Sequence, residues 1–144
     1  MSATEPLCRL IGIDPYKLSK EEYLILEAEL FYSVCEELKE IFRIQHKEYF
    51  RLTKYTVEME SIMLEQNFLR FVINDILSTK EYTIEGIAYY VDTHTDVVSE
   101  VILGHNLNPS AILLHRTIGL HRSVRGDLYK TIMQKIIEKY LIAA

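Results

Sequence analysis

The chain has 144 residues, of which 49% are hydrophobic and 26% charged, with a formal net charge of −5. That balance excludes a disordered or low-complexity polymer. Only five glycines and three prolines punctuate it, which favours long helices over a many-stranded sheet, and no apolar run approaches the ~20 residues that cross a bilayer as a helix.

Leu7 to Ser19 reads as an irregular lead-in, with a turn at Asp14-Pro15. Ser19-Lys20-Glu21-Glu22 then forms a capping box, serine first and glutamate third into the helix. Leu24, Phe31, Val34, Cys35, Leu38, Ile41, Phe42 and Tyr49 recur at three- and four-residue steps, so one helix is expected over about 20–51. Met59, Ile62, Met63, Leu69, Val72, Ile73, Ile76 and Leu77 predict a second over about 56–78. Both stripes are expected to be core, and part of each is expected to pack against a second copy of the chain.

After the polar break Ser78–Tyr82 the helices become short. Thr83 is placed to cap a helix from Ile84 to Val91, which Asp92-Thr93-His94 ends. His94 or Thr95 opens a second short helix that runs to Leu103 and stops at Gly104. Asn108-Pro109 restarts the chain, asparagine as N-cap and proline as first helical residue, with a helix to about Leu120. Val124, Leu128, Ile132, Ile136 and Tyr140 mark a last helix, whose start Gly126 weakens so that its cap is expected at Asp127. The fold expected is all-α, divided at 81/82 into an N-terminal helical hairpin (1–81) and a smaller module with a C-terminal helix (82–144).

Two short helices joined by a three-residue turn need a small residue at their crossing and apolar residues bracketing the turn. Ala88 is the small residue, Val91 precedes the turn, and Val98 and Ile102 face back from the second helix. Here the sequence resembles the lambda-repressor/Cro-like (XRE-type) helix-turn-helix family, over residues of about 69–122. Thr83-Ile84-Glu85-Gly86-Ile87-Ala88 is similar to the family's Thr-Gln-x-x-Leu-Ala opening. Val97-Val98-Ser99-Glu100-Val101-Ile102 with Gly104 resembles its recognition helix, and Asn108-Pro109-Ser110 with Leu113, Leu114 and Ile118 its following element. The sequence departs from the pattern at Ile84, where the family has glutamine, at Asp92, where it has glycine, and at Thr93, where it has a hydrophobic residue.

The resemblance implies a transcriptional regulator of a bacterium or its mobile DNA. Such a protein binds double-stranded DNA as a homodimer, with recognition helices one DNA turn (~34 Å) apart on a palindromic operator. The resemblance implies base contacts from His94, Thr95, Asp96, Ser99 and Glu100, with Leu103 at the edge. Thr83, Asn106 and Asn108 would approach the backbone. Charge complicates this. Residues 82–104 hold four acids (Glu85, Asp92, Asp96, Glu100) and no lysine or arginine, whereas 105–144 hold six basic residues against two acids. An acid can accept from cytosine N4 but cannot neutralise phosphate. Arg116, Arg122, Arg125 and Lys130, with His115 and His121, are therefore the expected source of positive charge. The competing expectation is a protein-interaction adaptor or anti-regulator that uses this acidic surface against a basic partner protein.

Other chemistries find no signature. There is no Cys-x-x-Cys, His-Glu-x-x-His, glycine-rich phosphate loop or nucleophile elbow, so neither enzyme activity nor a metal or other cofactor is expected. Cys8 and Cys35 do not make a disulfide framework, and the first ten residues lack the pattern of a secretory signal; a cytoplasmic protein with reduced thiols is expected.

Overall fold

A computed structural model describes residues 14–106 and 108–143. Cys8 and most of the predicted lead-in lie outside these residues. Among the described residues the protein is all-α, with eight α-helices, one 3-10 turn at Pro15–Lys17, and no strand.

The helices are α1 (Lys20–Gln45), α2 (Lys47–Thr53), α3 (Val57–Gln66), α4 (Phe68–Ser78), α5 (Ile84–Tyr90), α6 (Thr95–Ile102), α7 (Ala111–Val124) and α8 (Gly126–Ala143). They group into two compact units. One takes the chain up to Glu40 together with Asp127 onward; the other is Ile41–Gly126. This division differs from the expected one at 81/82. The reason is that α4 packs on α7 and α6, so it belongs with the short helices rather than with a separate hairpin.

In the first unit, α1 opens on the expected capping box. The Ser19 amide donates to Glu22 Oε1 at 3.2 Å and the Glu22 amide to Ser19 Oγ at 3.1 Å. Leu30, Cys35 and Leu38 of α1 are buried, as are Tyr129, Ile132 and Ile136 of α8. Glu37 is the buried charge. Its carboxylate lies 2.5 Å from Lys139 Nζ and 3.9 Å from Lys135 Nζ, which offsets its desolvation.

In the second unit both expected long helices are broken. At His46 the φ, ψ pair is −102°, 17°, and the imidazole stacks on Phe71 of α4 with ring centroids 4.8 Å apart. Phe71 also meets Phe42 at 5.5 Å, so aromatic packing from both sides holds the kink. At Asn67 the side-chain amide donates to the Met63 carbonyl at 3.0 Å, in competition with the helical ladder, and α3 gives way to α4. The apolar stripes are correspondingly less buried than expected. Met59 and Ile62 are 51% and 52% exposed, and Leu24 and Tyr49 are also exposed. The core of this unit is instead Phe68, Leu69, Val72, Ile73 and Ile76 of α4, set against Ile87, Ala88, Val98, Val101, Leu113, Ile118 and Leu120.

Candidate nucleic-acid interface

Helices α5 and α6 are short because the chain fixes all but one of their ends. Thr83 Oγ1 accepts from the Gly86 amide at 3.1 Å and caps α5. The helix ends in a paired-bond C-cap. Thr93 N–H donates to the Ala88 carbonyl and Asp92 N–H to the Tyr89 carbonyl, with Asp92 left-handed at φ 56°. Glycine usually fills such a position; aspartate tolerates it better than most side chains. Helix α6 ends the same way. Gly104 N–H donates to Val101, His105 N–H to Glu100, and Gly104 has φ 78°. His94 precedes α6 in an extended conformation but makes no capping bond with its side chain.

Between these two stops α6 shows one wet and one dry side. Val98 and Val101 are buried, whereas Ile102, expected beside Val98, is only partly so. His94, Asp96 and Glu100 are exposed, Leu103 is 63% exposed, and Thr95 and Ser99 are half-buried between the two sides. The outer edge thus carries His94, Asp96, Glu100 and Leu103, with Thr95 and Ser99 set back at its margin, and its only full charges are negative.

The loop after α6 uses its polar groups locally. Asn106 Oδ1 accepts from the Asn108 amide at 3.2 Å, and Ser110 Oγ accepts from the Leu113 amide at 3.1 Å. Ser110, not Asn108, therefore caps α7, and Pro109 stands outside the helix. The side chain of Asn108 is exposed, as is Thr83. A groove of about 270 Å³ runs between the turn and the first turns of α7, bordered by Asp92, Thr93, Asn106, Ser110 and Arg116.

The expected basic cluster is not one cluster. Arg116 reaches back from α7 to the turn, where Nη1 donates to the Val91 carbonyl at 3.2 Å and lies 3.8 Å from Asp92 Oδ2. It finishes the α5 terminus and partly balances Asp92. Arg125 sits at the other end of α7, with Nε 3.5 Å from Asp75 of α4. Arg122 is half-buried. His121 is no surface cation: it is fully buried, and its Nε2–H donates to Asp75 Oδ2 at 2.6 Å. Burial lowers its pKa below 6.5; the hydrogen bond and charge of Asp75 oppose that shift, and the Arg125 charge adds to it.

Two features escaped the sequence reading. One is the Asp75–His121 pair, whose only sign was an acid inside the apolar stripe of α4. The other is Arg70, the sole base between Lys54 and Lys80, whose guanidinium lies against Gly104.

No protein-family model, curated protein or solved structure matches the chain. No group of three or more His, Cys, Asp or Glu side chains is placed to hold a metal ion among the described residues. No helix among them is long and apolar enough to cross a membrane.

Proposed function

We propose that α5, the turn and α6 act as a helix-turn-helix that lays α6 in the major groove of double-stranded DNA. The protein would then be a homodimeric, cytoplasmic transcriptional regulator. The observation that carries this reading is α6 itself, a two-turn helix that follows the left-handed Asp92 turn and closes on a hydrogen-bonded left-handed stop at Gly104, with Val98 and Val101 buried and its opposite edge open. That is the form in which a helix reads base edges. Thr95 and Ser99 would offer hydroxyls, and Asp96 and Glu100 would accept from cytosine amino groups. Arg116, Thr83, Asn106 and Asn108 would meet the phosphates flanking the groove. Arg125 contributes little to that contact, because it is engaged by Asp75.

Fluorescence anisotropy with a random duplex tests the reading. Binding is expected at low salt, with an affinity that falls as salt rises, and a selected sequence is expected to bind about 10³-fold tighter. No binding at about 50 mM salt overturns it.

One observation favours a second reading. Glu85, Asp92, Asp96 and Glu100 are all exposed in the α5–α6 region, and Arg116 is drawn into the turn by Val91 and Asp92. Such an edge suits a basic protein partner, and failure of DNA binding together with salt-sensitive binding of a basic polypeptide such as polylysine would favour it.

A further inference from the structure

Where α4 begins and α6 ends, the Ile41–Gly126 unit holds a cleft of about 290 Å³. This is just under the roughly 300–1,000 Å³ typical of drug-sized sites and suits a smaller ligand. Its floor is apolar: Leu69 and Val101 line it and both are buried. Its rim is rich in donors. Arg70 is half-buried, borders the cleft, and makes no hydrogen bond or ion pair among the described residues. Its five guanidinium N–H groups are therefore without an acceptor among the described residues. The head group is also located. A side chain at Gly104 would begin 3.3 Å from Arg70 Nη1, so the glycine leaves the space that the guanidinium occupies. Asn106 and Asn108 complete the rim. Because Asn106 Oδ1 already accepts from the Asn108 amide, its free Nδ2 group is a further donor.

We infer that this cleft binds a small organic anion, its oxyanion on Arg70 and the asparagine amides and its short apolar body on Leu69 and Val101. A guanidinium offers two parallel donors to a carboxylate or a phosphate, which a neutral molecule of the same shape cannot match. Glu65, also on the border, opposes an anion and sets the sign of one control. Asn106 and Asn108 belong to the loop assigned above to the DNA backbone, so an occupant here acts on that contact. This consequence rests on the DNA reading; the binding does not.

Benzoate, phenyl phosphate and neutral benzamide are titrated into the full chain, without DNA, and backbone amide shifts are followed by heteronuclear NMR. Benzoate or phenyl phosphate is expected to shift Gly104, Asn106 and Asn108, and benzamide to leave them in place; the stronger of the two anions identifies the head group. Arg70→Gln should weaken the response about tenfold or more, the scale of a lost charge-assisted hydrogen bond. Glu65→Gln should tighten it severalfold, which keeps the test decisive if the Arg70 variant fails to fold. Equal shifts from benzamide, no shift with either anion, or an unchanged response in both variants overturns the site. Because no DNA is present, any of these leaves the reading of α6 standing.

Discussion

Replacing Asp75 with alanine should destabilise the protein by about 1–3 kcal/mol at pH 7.5. His121 is fully buried, and its Nε2 has Asp75 Oδ2, 2.6 Å away, as its hydrogen-bond partner. Alanine removes that acceptor from a nitrogen in the core, and the cost is desolvation that the carboxylate no longer offsets. Loss of the Arg125 contact adds at most about 1 kcal/mol, since that arginine is partly exposed. The pH profile carries the sharper test. Burial lowers the folded-state pKa of His121 below its ordinary 6.5. Between the folded and unfolded values the unfolded chain binds more protons, so stability rises with pH across that window. This contribution is therefore complete above pH 6.5 and is lost as acid is added, at no more than about 1.4 kcal/mol per pH unit. Without Asp75 the two influences that hold the pKa up are gone, so the loss in the variant should continue to lower pH than in the parent. Urea unfolding followed by circular dichroism, repeated from pH 7.5 to pH 5, measures both effects. A destabilisation under about 0.5 kcal/mol, or a His121→Gln variant with the parent's pH profile, would refute the reasoning.

Helix termini give the remaining tests. Ser110→Ala should cost about 1 kcal/mol in urea unfolding and Asn108→Ala less than about 0.5, because the serine oxygen makes the capping bond. At Asp92, with φ 56°, glycine should change stability by less than about 1 kcal/mol, whereas valine should lower it by about 1–3 kcal/mol and reduce the melting temperature.

The sequence foretold the helix ends better than the faces. The capping box at Ser19, the Thr83 cap, the left-handed Asp92 and the Gly104 stop are local chemistry, decided by residues within one turn of each other. The kinks at His46 and Asn67 were not visible. The first depends on Phe71, 25 residues away in sequence, and the second on the Asn67 side-chain amide, which sits where the stripe lapses between Met63 and Leu69, a gap that helical spacing on either side bridges. Periodicity placed Met59 and Ile62 in the core because it records which side chains share a face, not whether anything covers that face. Of the candidate site, the outer edge of α6 follows from helical spacing alone. The arginines do not. Whether Arg116 meets the turn and Arg125 meets Asp75 is set by how α7 crosses its neighbours, and no spacing within α7 contains that crossing.

Arg116 is where the stability and the electrostatics of this surface meet. Its guanidinium holds the Val91 carbonyl and stands 3.8 Å from Asp92, so the residue that terminates α5 also sets a positive charge against one of the acids of the turn. At that distance in a watery environment the pair interacts by only about 1 kcal/mol, so a phosphate can compete with Asp92 for the guanidinium without dismantling the turn. Under the DNA proposal the acids at positions 96 and 100 would act mainly through discrimination. On DNA each would reject sequences that present only acceptors and tolerate those that present a cytosine amino group, while its charge would repel the phosphates of any duplex. If α6 docks on DNA as proposed, a single copy would bind weakly, and a second copy would supply affinity by doubling the phosphate contacts. A dimer is thus a requirement of the DNA reading rather than an addition to it.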